Sequence, residues 1–152
     1  MFRGVSSLNL DTKGRIGVPK KYRQEIDDAS SGQMIVTIDP NEKCLLLYTL
    51  PEWEIIERKL SKLSSMKKQT RRLQRLLIGH ATDVDMDRQG RVLLPPPLRN
   101  FAGMDKPVVM VGMGNKFELW DETHWNEKRD IWIEEDGSDE DEPDEEVLSL
   151  SI

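Results

Sequence analysis

Apolar residues in this chain fall into short β-type runs and two helical stripes. The runs at 34–38 and 44–48 predict a pair of strands, and those at 108–111 and 117–120 predict a second pair. After Pro51, the residues Trp53, Ile56, Leu60 and Leu63 recur at three- and four-residue steps, the period of an amphipathic helix with one apolar stripe. A second helix, over about 68–80, sets Leu73, Leu76, Leu77 and His80 on one side and Lys68, Arg71, Arg72 and Arg75 on another. A helix with two distinct faces needs two kinds of neighbour.

Part of the pattern occurs twice. Leu10-Asp11-Thr12-Lys13-Gly14-Arg15-Ile16-Gly17-Val18-Pro19 returns 76 positions later as Met86-Asp87-Arg88-Gln89-Gly90-Arg91-Val92-Leu93-Leu94-Pro95, and the match continues to Arg23 and Arg99. It then shifts to a spacing of 72, where Leu47, Tyr48 and Trp53 answer Leu119, Trp120 and Trp125. Each copy reads strand, turn, strand, short helix. Gly14 and Gly90 supply the positive φ of a tight turn, and Pro19 and Pro95 suit a first helical turn, where their missing N–H costs nothing. A unit of about 75 residues is near the lower limit for a stable core, so the halves are expected to share one interleaved body. The expected division is a first unit over 1–53, a helical connection over 54–80, a second unit over 81–129 and a tail over 130–152.

Charge changes this picture when it is divided along the chain. The net charge is -6, but the 11 acidic and no basic residues from Asp130 onward leave 17 acidic against 22 basic before it, a net of +5. The body is basic and the acidity belongs to the tail, whose like charges predict disorder beyond about Ile133. Cys44 stands alone, which excludes an internal disulfide and fits a reducing compartment and a packed side chain. No apolar run approaches the roughly 18 residues that span a bilayer, and the first residues lack the apolar core of a secretory signal. A soluble, cytoplasmic protein is expected.

The two Asp-x-x-Gly-Arg turns are the candidate sites. A turn projects its arginine rigidly, and a planar guanidinium grips phosphate or guanine through paired hydrogen bonds. Arg15 and Arg91 lead, with Asp11 and Asp87 as orienting carboxylates. On residues alone, a salt bridge with no role beyond the hairpin remains open. Around the first turn Arg3, Lys13, Arg15, Lys20, Lys21 and Arg23 crowd a short region opposed only by Asp11, the electrostatic footprint of a polyanion site. Around the second, Arg88, Arg91 and Arg99 are sparser, as for a structural copy. The basic stripe of the second helix is expected to be solvated or salt-bridged, docking on acidic residues of a neighbouring subunit with Glu52, Glu54 and Glu57 as the candidates, in preference to direct contact with phosphates. His80 and His124 accompany no cysteine cluster, and no nucleophile signature or phosphate loop is present, so neither metal, cofactor, small-molecule substrate nor enzymatic activity is expected. Trp53, Trp120 and Trp125 read as core or subunit contacts. A scaffold or adaptor that uses the basic strip between subunits is the competing reading; a nuclease would need organised carboxylates. The acidic tail also stands as a competitor for the DNA surface, or simply as a solubilising segment.

Met1-Phe2-Arg3-Gly4, the turn from Asp11 to Arg15 followed by Val18-Pro19, Leu46-Leu47-Tyr48 with Pro51-Glu52-Trp53, the stretch 72–81 and the second turn at Asp87, Gly90 and Arg91 together resemble the MraZ family of bacterial transcriptional regulators over about residues 1–130. The resemblance implies an α+β, mainly β fold: two tandem AbrB-like swapped-hairpin units forming one pseudo-two-fold β-barrel, with flanking helices and the acidic tail apart. It implies a ring-shaped homo-oligomer on double-stranded promoter DNA with closely spaced direct repeats, repressing the cell-division and cell-wall gene cluster and its own gene on the nucleoid. On this pattern Arg15 with Asp11 contacts DNA, and Arg91 with Asp87 is the weaker transfer. Lys13, Arg3 and Lys20 complete the expected surface.

Overall fold

A computed structural model describes residues 1–135 and 144–151, and the chain divides into two units, Met1–Glu122 and Thr123–Ile152. In the first unit the elements are β1 (Phe2–Asn9), β2 (Arg15–Gly17), α1 (Lys20–Ser30), β3 (Gln33–Ile38), β4 (Leu45–Thr49), α2 (Leu50–Lys62) and α3 (Lys68–Leu73), which runs on into a π-helical turn at Gln74–Ile78. The second repeat supplies β5 (Thr82–Asp85), β6 (Arg91–Leu93), α4 (Pro96–Phe101), β7 (Pro107–Gly114) and β8 (Phe117–Asp121). Pro51 in the first turn of α2 has no N–H to leave unpaired. Helix α1 stops where Ser31 (φ 53) and Gly32 (φ 83) turn left-handed.

Six strands form one sheet in the order β1-β7-β8-β4-β3-β5, and β2 and β6 form a separate antiparallel pair. The order reads alike from both ends, because the first strand of each repeat adds to the third strand of the other: β1 to β7, and β5 to β3. Neither β1–β2 nor β5–β6 is a paired hairpin, although each couple is joined by the tight turn that the sequence predicts. Gly112 faces Gly4 across the β1–β7 pairing, where a Cβ on Gly112 would come within 2.6 Å of the Arg3 Cα.

The expected barrel is not what these strands build. β1 and β5 end the large sheet on opposite sides without meeting, and β2 and β6 pair only with one another, so neither sheet closes. Nor is the fold mainly β, since helical residues outnumber strand residues. The tail expectation also needs correction at its start: α5 (Glu122–Glu134) carries helix through Asp130 and beyond, and α6 (Glu145–Leu148) is a single turn. The rest of the disorder expectation, over 136–143 and at 152, lies outside the described residues.

The two-residue alternation of the central strands separates two apolar layers. On one face Met34, Val36, Leu45 and Leu47 meet Ile16 and Val18 near β2, Val92 and Leu94 near β6, Tyr22 and Ile26 of α1 and Leu98 of α4. On the other, Ile35, Leu46 and Tyr48 meet Trp53 and Leu60 of α2 and Leu77 of the π turn. There the buried Thr37 hydroxyl donates to the Leu77 carbonyl at 2.7 Å. Each large aliphatic or aromatic side chain so enclosed stabilises the fold by about 1.5–3 kcal/mol. The two short turn-bearing strands thus lie on one face of the sheet, and α2 with α3 on the opposite face.

Candidate nucleic-acid interface

Each Asp-x-x-Gly-Arg turn is locked by its own aspartate. In the first, Asp11 N–H donates to the Arg15 carbonyl at 2.9 Å and Gly14 N–H to the Asp11 carbonyl at 3.0 Å, with Gly14 at φ 85. Asp11 Oδ1 accepts from the backbone N–H of Lys13 and of Arg15, both at 2.9 Å, and Oδ2 accepts from Arg15 Nε at 2.7 Å. The Arg15 N–H, foremost among these donors, and the Arg15 side chain hold the Asp11 carboxyl down at about 2. The guanidinium is therefore fixed through Nε, while its two terminal nitrogens make no hydrogen bond to any described residue. A half-buried arginine held at its inner nitrogen presents its outer fork in one direction, which is the preorganisation that bidentate recognition requires.

The second turn repeats the frame and differs at the tip. Asp87 Oδ1 accepts from Gln89 N at 2.9 Å and Arg91 N at 2.8 Å, and Oδ2 from Arg91 Nε at 3.0 Å. Asp87, too, is held below the ordinary carboxylate range, first by the Arg91 N–H. Here, however, Arg91 Nη2 donates to Gln89 Oε1 at 3.2 Å, so one terminal nitrogen is already engaged. The residue matching Gln89 in the first turn is Lys13, a further exposed cation. The two turns share a scaffold but not an outer surface.

The structure sets Arg3 apart from the first turn. Arg3 lies at the far end of β1, eight residues from Asp11, or about 26 Å at the rise of an extended strand. It sits near the start of α1, where the Tyr22 hydroxyl donates to its carbonyl and Lys21 Nζ lies 4.9 Å from the Tyr22 ring centroid. Lys20 is exposed at the first position of α1. Arg3 and Lys21 are thus grouped around Tyr22, at the end of β1 away from the Asp11 turn.

Arg23 and Arg99 trade places relative to the sequence grouping. Arg99 Nε donates to the Leu94 carbonyl at 3.0 Å, and its Cζ would stand 2.6 Å from a Cβ placed on Gly14, so a side chain of the second repeat covers the first turn. Arg23 Nε donates to the Val18 carbonyl at 2.8 Å, and its guanidinium covers Gly90 of the second turn. Crossed backbone bonds accompany them: Leu94 N–H to Gly14 O at 3.0 Å and Val18 N–H to Gly90 O at 2.8 Å. Repetition marked both arginines as equivalent positions, but no sequence signal shows that each serves the opposite copy.

Other candidates resolve as follows. Trp53 and Trp120 are buried, and Trp53 Nε1 donates to Glu57 Oε2 at 2.7 Å. In the second unit Trp125 meets Trp132 edge-on, with ring centroids 5.9 Å apart. In the basic stripe Lys68 and Arg75 are exposed, as a solvated face requires, while Arg71 donates to the Ser65 and Met66 carbonyls and Arg72 to the Pro40 carbonyl, and none of the four pairs with Glu52, Glu54 or Glu57 of its own chain. His80 Nδ1 bonds back to the Leu76 carbonyl at 2.9 Å. Asp39, Cys44 and Glu118 offer ligand atoms within 4.8 Å of one another, and burial raises both the Cys44 thiol and the Glu118 carboxyl above their ordinary ranges. No helix among the described residues is long and apolar enough to cross a membrane.

A family model described as "MraZ protein, putative antitoxin-like" matches residues 1–76 and again 77–145. The transcriptional regulator MraZ of Thioalkalivibrio sulfidiphilus (strain HL-EbGR7) is 53% identical over 152 residues, the whole of both chains. That of Enterobacter sp. (strain 638) is 59% identical over 140 residues, covering 91% of this chain and 92% of its own, and that of Legionella pneumophila (strain Corby) is 50% identical over the full 152. Together with the AbrB-like exchange of strands between repeats, these matches define a transcriptional regulator and not an enzyme. The chain belongs to the MraZ family.

Proposed function

We propose that this chain is a sequence-specific DNA-binding regulator, acting as a repressor at direct repeats in the promoter of the cell-division and cell-wall gene cluster, its own gene included. The observation that carries the reading is the Arg15 guanidinium, pinned by Asp11 through Nε and unoccupied by any described residue at its terminal nitrogens. Lys13 adds charge beside it. Arg91, with Asp87, is the lesser contact because Gln89 already takes one of its nitrogens. Arg3 and Lys20, both exposed, attract the phosphate backbone. One turn reads few base pairs and binds weakly, so neighbouring copies in a ring-shaped homo-oligomer, meeting successive repeats, raise the effective concentration of each contact. The regulator works in the cytoplasm on nucleoid DNA, with no cofactor or small-molecule substrate.

Arg15→Ala tests the proposal. The variant is expected to lose the electrophoretic shift of promoter DNA while the assembly keeps its mass in light scattering. Loss of mass would make the arginine structural. For the parent protein, log affinity should fall linearly with log salt, with a slope set by the phosphates neutralised; equal affinity for promoter and random duplex would favour a scaffold instead.

A further inference from the structure

The longest uncompensated stretch of positive charge is not at the turns. Between Arg58 and Thr82 the chain carries eight basic residues and no acidic one. α2 and the α3–π segment lie side by side as a helical hairpin, tied by Gln74 Nε2 donating to the Leu60 carbonyl at 3.0 Å. At and beside the tip Lys59, Lys62, Lys67, Lys68 and Arg75 are exposed, and none forms an ion pair with any described residue. Leu63 and Met66 stand among them, 47% and 88% exposed. Apolar side chains rimmed by like charge mark a contact surface. This one lies on the face of the sheet opposite the turns, so a duplex held at Arg15 does not cover it.

A partner for this tip must be acidic and must also offer apolar side chains, a mixture that the outside of a duplex does not present. The chain itself contains such a partner. In the segment 144–150, Asp144, Glu145 and Glu146 precede Val147, Leu148 and Leu150, which are 58%, 65% and 59% exposed. The Asp144 side chain accepts from the Glu146 N–H at 3.3 Å, which starts the helical turn α6. We infer that the cationic tip of the α2–α3 hairpin on one copy receives the acidic, apolar-ended segment 144–150 of a second copy.

Acid meets ammonium, and Val147, Leu148 and Leu150 cover Leu63 and Met66. Each copy gives one segment and offers one tip, a head-to-tail contact that repeats around a closed assembly, so individually weak contacts accumulate. The inference is independent of whether Arg15 contacts DNA.

The test mixes heavy-isotope-labelled and unlabelled full-length chain in high salt, lowers the salt, and couples neighbouring lysines and carboxylates with a carbodiimide before mass spectrometry. Links between Lys59, Lys62, Lys67 or Lys68 and Asp144, Glu145 or Glu146 are expected in mixed-isotope pairs. Replacing Val147, Leu148 and Leu150 together by serine in the full chain leaves every coupling group in place and should lower those links several-fold. Absence of the links, or their confinement to same-isotope pairs, overturns the inference. So does serine substitution without effect. A third readout guards against a DNA role for the face: in the Arg15→Ala background, changing the four lysines to glutamine should leave the residual affinity for random duplex unchanged, and loss of that affinity without mixed-isotope links would assign the face to DNA.

Discussion

Replacing Gly14 by alanine probes the exchange between repeats at one atom. At φ 85 a Cβ is strained, which costs about 1–2 kcal/mol, offset by about 0.4–1 kcal/mol because alanine restricts the unfolded chain. The same Cβ would stand 2.6 Å from Arg99 Cζ, forcing that guanidinium off the turn and away from the Leu94 carbonyl. Losing that charge-assisted bond and its packing adds about 1 kcal/mol, giving a total of about 1–2.6 kcal/mol. Urea denaturation at fixed protein concentration measures it, since the midpoint moves while the slope stays constant if only stability changes. The discriminating step is a double-mutant cycle. Beside Arg99→Ala the steric part is already gone, so Gly14→Ala should cost about 1 kcal/mol less than it does alone, whereas beside Arg23→Ala it should cost the same as alone. Coupling to Arg23 instead of Arg99 would refute the crossed arrangement, and coupling to neither would show that no guanidinium rests on the turn.

Other expectations follow from the same geometry. Because the folded Asp11 carboxyl titrates at about 2 and the free one at 3.8, its contribution to stability is complete above pH 3.8 and is lost as pH falls from there toward 2; carbon NMR of the Asp11 carboxyl should show a midpoint near 2, and a midpoint near 3.8 would contradict the hydrogen-bonding assigned to it. Cys44 is buried and its thiol is pushed up, so a disulfide reagent at pH 8 should leave it unmodified until denaturant is added; rapid native labelling would contradict its placement. Gly112→Ala would press a Cβ onto the Arg3 backbone and should destabilise by about 2–3 kcal/mol, with β1 amides exchanging first; unchanged protection of β1 would contradict the β1–β7 register. Asp87→Ala should free Arg91 as Asp11→Ala frees Arg15, yet weaken promoter binding less, which gel shifts on one operator can compare.

What the sequence reveals here is local, and what it conceals is which strand meets which. β3 and β4 lie within a residue of the apolar runs that predicted them, and α2 begins beside Pro51, because alternation and helical period are written in consecutive residues. The Asp–Arg pairing inside each turn was equally legible, since four residues across a tight turn leave little freedom. Strand exchange was not: nothing in the neighbourhood of Phe2–Asn9 says that its partner is Pro107–Gly114, and the expectation of a closed barrel failed because edge pairing between β1 and β5 depends on geometry summed over the whole sheet. α5 is not legible in the sequence because its residues are charge-dense and follow no clear apolar stripe. Gln89 illustrates the limit at the site, where one amide oxygen 3.2 Å from Arg91 distinguishes two turns that share Asp, Gly and Arg.

Arginines carried on aspartate-locked turns are proposed to bring this protein to repeated sites in DNA. Hydroxyl-radical footprinting on the region upstream of its own gene, with parent and Arg15→Ala proteins at equal concentration, tests it most directly. Evenly spaced protections over direct repeats are expected with the parent and none with the variant. A parent protein that protects no repeat, or a variant that protects them equally well, would contradict it.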